Sequence, residues 1–139
     1  MYWKEIISYL LAFIIGVTLI VYVLDFGSWI TGNRQIVHSY YHYWPNLLLD
    51  LGFIAAYLLI AIAIIKYFKI KENITKFGIV IITTITITSL FCLYFITRPM
   101  TTAFFSKWFH TVGYSSAIYD AVLIGFVYLL AVRIYELIQ

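Results

Sequence analysis

The sequence predicts an all-α membrane protein with four transmembrane helices in a single domain that covers residues 1–139. Three observations support this fold class. Only 11% of the residues are charged and 64% are hydrophobic, whereas soluble domains carry about 25% charged residues. Four apolar runs are long enough to cross about 30 Å of hydrocarbon as helices. Aromatic residues make up 20% of the chain, and Tyr and Trp favour the membrane interface.

The four apolar runs cover residues 6–24, 47–65, 77–96 and 117–138. Polar and apolar residues do not alternate in these runs as they would in transmembrane strands, so we expect helices. The first run is too long for the apolar core of a typical signal peptide, and we expect it to remain as the first helix.

The basic residues predict an orientation. Four lysines lie at the link between the second and third runs: Lys66, Lys69, Lys71 and Lys76. Lys4 and Arg133 lie near the two ends of the chain. Cytoplasmic loops carry an excess of Lys and Arg, so both termini and the lysine-rich loop are predicted to be cytoplasmic. The sequon that begins at Asn73 should then escape glycosylation.

The two links on the other side, residues 25–46 and 97–116, are rich in aromatic residues and poor in charge. Segments this apolar are expected to lie in the interface or to fold back as short helices. Tyr and Trp residues near the helix ends are interpreted as interfacial anchors. In the third run, Thr84 and Thr88 share one helix face, which we interpret as a packing surface.

The two halves of the chain resemble each other. Asp50 is followed by Ile54 and Ala55, and Asp120 is followed by Ile124 and Gly125. A tandem duplication of a two-helix unit is one interpretation, and chance similarity between apolar helices is the other. Repeated units are common in transporters.

Asp120 and Asp50 are the candidate ion or proton sites. Asp120 and Arg133 are thirteen residues apart, or about 20 Å along a helix, which is less than the hydrocarbon thickness. Arginine can extend to the surface and aspartate cannot. Asp120 is therefore predicted to lie about one turn inside the outer surface. The alternative for both aspartates, and the favoured one for Asp50, is a stabilising position at a helix N-terminus.

The three histidines are candidate metal ligands. His38 and His42 are four residues apart, so both would lie on one face of a helix. This spacing can hold a metal ion, and His110 in the other aromatic link could supply a third ligand. Interfacial histidines without a metal are the alternative.

One short segment resembles the TVGYG selectivity filter of potassium channels. Its residues are Thr111, Val112, Gly113, Tyr114 and Ser115. The resemblance implies backbone carbonyls that replace the hydration shell of an ion, with a short pore helix before them. The chain departs from that pattern at Ser115, which replaces the final glycine, and at Lys107, a cation in the expected pore helix.

These patterns favour a small non-catalytic subunit of a larger membrane complex or a homo-oligomer. Four helices with short links and few polar groups leave little room for an active site within the chain itself. The alternatives are an ion channel or transporter that uses Asp120 or the filter-like loop, and a metal- or haem-associated membrane component that uses the histidines. We find no nucleophile motif or phosphate loop. The expected partners are the lipid bilayer, bound lipid, and other membrane subunits or copies of the chain. No basic stripe indicates nucleic-acid binding.

Overall fold

The computed structural model describes residues 3–139 and confirms the all-α fold class. Four helical spans are long and apolar enough to cross a membrane. The first consists of α1 (Trp3–Val17) and a π-helical continuation (Thr18–Val23). The other three spans are α4 (Pro45–Tyr67), α5 (Asn73–Ile96) and α7 (Ser115–Ile138). Three short helices connect the spans: α2 (Phe26–Thr31), α3 (Arg34–His42) and α6 (Phe104–Val112).

The spans extend slightly beyond the predicted apolar runs. The largest difference is at the start of α5, which begins at Asn73 rather than at residue 77. The Lys76 N–H donates to the Glu72 carbonyl at 3.0 Å, so the polar residues before the apolar run already form helical hydrogen bonds. Hydropathy locates the apolar part of a helix and misses such polar ends.

The most central span is α7, which packs against both α1 and α5, while α4 packs mainly against α5. Glycines allow close approach at both contacts with α7. A Cβ on Gly16 would lie 2.9 Å from Val127 Cγ2, and a Cβ on Gly125 would lie 2.8 Å from Ile81 Cδ1. The close contacts hold α1 and α5 against the helix that carries Asp120.

The aromatic links fold into short helices, as expected, and these pack together at one end of the bundle. Gly32, with φ +68°, ends α2, and the Asn33 side chain begins α3 by accepting the Ile36 N–H at 3.1 Å. The Tyr40 ring of α3 stacks on Phe104 of α6, with centroids 4.9 Å apart. We call this part of the molecule, formed by α2, α3 and α6, the aromatic end.

The lysine-rich loop lies at the opposite end of the bundle, because α4 leads away from the aromatic end and α5 returns to it. The loop is short, and Lys69 adopts a left-handed backbone conformation with φ +54°. Lys66, Lys69 and Lys71 are exposed. The two ends of the bundle therefore differ in chemistry, one aromatic and one cationic.

Candidate functional site

A cavity of about 200 Å³ lies next to the aromatic end, among α3, α4, α5, α6 and α7. Eleven of its sixteen lining residues are aromatic, and the only charged ones are Asp50 and Asp120. Within residues 3–139, neither aspartate has a basic side chain within 4.0 Å. The cavity thus brings together the two candidate ion sites that the sequence predicted 70 residues apart.

Asp50 lies in the second turn of α4. Pro45 occupies the first turn of this helix, where its missing N–H is not needed. The Tyr40 hydroxyl donates to Asp50 Oδ1 at 2.7 Å. Asp50 Oδ2 is buried and has no hydrogen-bond partner among residues 3–139. A buried polar atom without a partner is destabilising, so Oδ2 marks a place for an additional donor or a cation.

Asp120 lies in the second turn of α7. The Thr88 hydroxyl donates to Asp120 Oδ2 at 2.7 Å. The Tyr57 hydroxyl lies 3.2 Å from Thr88 Oγ1. Because Thr88 has one hydroxyl proton and gives it to Asp120, Tyr57 is the donor to Thr88. A chain of hydrogen bonds therefore runs from α4 through α5 to α7.

A second hydrogen bond joins the short helices to α7. The hydroxyls of Tyr41 and Tyr119 lie 2.8 Å apart, and both residues are buried. Burial raises the pKa of Tyr40 and that of Tyr41 well above the usual value of 10.0, and the charge of Asp50 adds to the effect. Both tyrosine hydroxyls of α3 therefore remain protonated near neutral pH, and Tyr40 keeps the proton that it donates to Asp50.

The two aspartates occupy equivalent places in the two halves of the chain. The start and the end of α6 each lie 70 residues after those of α3, and α7 begins 70 residues after α4. Asp50 and Asp120 have the same separation and are each the sixth residue of their helix. This constant shift supports the interpretation of a tandem duplication, with one carboxylate from each half.

The structure does not bring the three histidines together. His38 and His42 do lie on one helix, but His38 Nε2 lies 3.0 Å from Asp25 Oδ2. Within residues 3–139, no group of three His, Cys, Asp or Glu side chains is placed to hold a metal ion. Partial burial opposes ionisation of Asp25, but hydrogen bonds from Ser28 and His38 outweigh it and lower the pKa of Asp25. In place of the predicted group of His38, His42 and His110, the structure therefore shows a pair between His38 and Asp25.

The filter-like segment does not form an extended row of carbonyls in this structure. Thr111 and Val112 end α6, and Gly113, with φ +60°, turns the chain toward α7. The Val112 carbonyl accepts the Ser115 hydroxyl, and the Gly113 carbonyl accepts the Ser116 hydroxyl. Ser115, which replaces the final filter glycine, begins α7. These two carbonyls are engaged within the chain rather than aligned toward an ion.

Sequence reasoning missed the hydroxyl groups that hold the carboxylates. Tyr40 falls under the expectation of an interfacial aromatic link and Thr88 under that of helix packing, whereas Tyr57, in the middle of α4, has no predicted role at the site. Thr88 is indeed 1% exposed, and it also donates to Asp120. A threonine on an apolar helix facing a helix with a buried aspartate is the signal that could have found this bond.

The chain matches no protein-family model, and no curated protein or solved structure is significantly similar to it. The function proposed for it rests on the geometry of the cavity.

Proposed function

We propose that this small membrane protein binds cations in the cavity between its spans and transports them across the membrane. One observation carries the proposal: two carboxylates, one from each half, line a single cavity that has no basic lining residue. An acidic side chain costs about 2.5–3.5 kcal/mol at the centre of a transmembrane helix on insertion scales. A bound cation would offset that cost, and an ionisable residue within a span is by default a functional candidate.

The surrounding hydrogen bonds support this assignment. Tyr40 and Thr88 each donate one hydrogen bond and fix the orientation of one carboxylate. Single donors leave most of the lone pairs of each carboxylate available. Asp50 Oδ2 is unpartnered within residues 3–139, so at least one oxygen is open to a ligand. The site is thus ordered, acidic and incompletely coordinated.

Purified protein in liposomes provides the test. At least one of four responses, the proton flux, the sodium flux, the potassium flux and the electrical response to organic cations, should exceed that of empty liposomes. Asp50→Asn and Asp120→Asn should abolish the response, because each removes a charge and keeps the shape of the side chain. Asp25→Asn is the matched control, since Asp25 pairs with His38 and does not line the cavity. Flux equal to empty liposomes for every cation, or equal loss in all three variants, would overturn the proposal.

We propose the same orientation as the basic residues predicted, with both termini and the lysine-rich loop in the cytoplasm. The cavity would then lie in the outer half of the membrane, next to the aromatic end. Lys69→Cys in a Cys92→Ser background should react with an impermeant thiol reagent only from the cytoplasmic side. Trp29→Cys, at an exposed position of α2, should react only from the outside. The reverse pattern would refute the orientation.

Association with other membrane subunits or with copies of the chain is the second candidate. It is supported by the incomplete cover of the spans, because only 28% of the apolar window of α4 is buried within the chain. Lipid can cover such faces as well. The mass of the extracted protein particle therefore distinguishes an assembly from a single chain with lipid. Extraction in native nanodiscs followed by mass measurement should give a discrete assembly if this candidate holds, and a single chain with lipid if it does not.

A further inference from the structure

The wall of the cavity is a continuous group of aromatic rings. Tyr40 stacks on Phe104 at 4.9 Å and lies 6.2 Å from both Phe105 and Trp108, between ring centroids. Phe105 in turn meets Phe53 of α4 edge to face at 6.0 Å. Rings of this kind attract cations to their faces, most strongly where water is excluded.

Most side-chain oxygens of the cavity are held in hydrogen bonds of the fold, and a dehydrated divalent ion would need about six of them at once. Calcium takes six to eight oxygen ligands, and magnesium about six. The lining tyrosine hydroxyls are already engaged: Tyr40 with Asp50, Tyr41 with Tyr119, and Tyr57 with Thr88. The carboxylates alone cannot replace a complete hydration shell. A cation with a weakly hydrated, dispersed charge needs no such shell and suits aromatic walls.

The size of the cavity limits the ligand. The volume of the cavity is about 200 Å³. Sites for drug-sized molecules are larger, about 300–1,000 Å³. The cavity therefore suits a short alkylammonium ion better than a drug-sized cation.

We propose that the cavity binds a small organic ammonium ion, with its charge between Asp50 and Asp120 and its alkyl groups against the rings of Tyr40, Phe104 and Phe105. This inference rests on the proposed function and names the class of its substrate. Opposite charges favour the cation, and the aromatic wall favours a methylated ammonium over a hydrated metal ion.

The test compares choline with dimethylbutanol, its neutral isostere in which carbon replaces the charged nitrogen. Isothermal titration calorimetry on the full chain in nanodiscs should show choline binding about tenfold or more tightly than the isostere. Asp50→Asn and Asp120→Asn should each weaken choline binding and leave dimethylbutanol unaffected. Asp25→Asn should leave both affinities unchanged.

An aromatic substitution tests the wall separately. Phe105→Leu keeps an apolar side chain but removes the ring, and should weaken choline binding about two- to fivefold. Phe68→Leu is the matched control, because Phe68 is exposed and lies at the lysine-rich end. If the aspartate variants do not fold, the comparison of choline with its isostere on the unaltered chain still decides.

The outcomes separate this inference from the proposed function. Equal affinity for choline and dimethylbutanol would make the cavity an apolar site and overturn the inference. No choline binding, together with an Asp120-dependent flux of protons or metal ions, would also overturn the inference and leave the proposed function intact. No choline binding and no cation flux would overturn both.

Discussion

The substitution Thr88→Val would remove one hydroxyl from the hydrogen-bonded chain and keep the size and branching of the side chain. That hydroxyl donates to Asp120 Oδ2 at 2.7 Å and lies 3.2 Å from its donor Tyr57. Each buried group left without its hydrogen bond costs about 1–3 kcal/mol. Hydrogen bonds between membrane helices are weaker on average, about 0.6 kcal/mol, with a maximum near 1.7. Two such bonds lead us to expect a loss of about 2 kcal/mol in the free energy of unfolding.

The matched control lies one turn earlier on the same helix face. Thr84 is also 1% exposed, but its hydroxyl donates only to the Val80 carbonyl of its own helix, at 2.8 Å. That carbonyl keeps its backbone partner after Thr84→Val, so we expect a change below about 0.5 kcal/mol. Unfolding of both variants in nonionic micelles titrated with dodecyl sulfate, followed by circular dichroism, gives the comparison. Equal losses in the free energy of unfolding of the two variants would refute the series of hydrogen bonds from Tyr57 through Thr88 to Asp120.

Three further predictions concern packing, pH and burial. Gly16→Ala should destabilise the fold by about 1–3 kcal/mol, because the new methyl meets the stiff Val127 side chain at 2.9 Å. Gly52→Ala, with nothing within 4 Å, should cause no loss and up to about 1 kcal/mol of gain in the same unfolding assay. The pKa of Asp25 is lowered in the folded state. Its contribution to the stability of the fold is therefore present above the ordinary pKa near 3.9 and is lost as the pH falls through the lowered pKa. In an acid titration, the thermal midpoint of Asp25→Asn should therefore change less with pH than that of the unaltered protein. Cys92 is fully buried, so a permeant maleimide should label it only after unfolding, and rapid labelling of the native protein would contradict the packing described.

The four spans could be predicted from the sequence because the lipid requirement is a property of length and composition. Asp50 and Asp120 could be singled out for the same reason, since an acid in an apolar run is conspicuous. The favoured interpretation of Asp50 as a helix N-terminal residue accounts for only part of its position. It does lie near the start of α4, and it also lines the cavity with Asp120.

The partners of the two aspartates could not be predicted, because they depend on how separate helices pack. Tyr57 and Thr88 are 31 residues apart, and Thr88 and Asp120 are 32 apart. No local pattern records such contacts. The segment with His38 and His42 is helical, which is the condition under which their spacing puts both on one face, but the spacing carries no information about a third ligand.

Each of the two cavity carboxylates accepts a hydrogen bond from a residue earlier in the chain: Tyr40 donates to Asp50, and Thr88 donates to Asp120. A ribosome that feeds this chain into a bilayer therefore delivers each donor before the acid that needs it. The first hydrogen-bond donor of each acid therefore does not depend on a later segment, which favours insertion of an acidic helix into the bilayer. The order of synthesis thus favours the insertion of the two aspartate-containing helices into the bilayer.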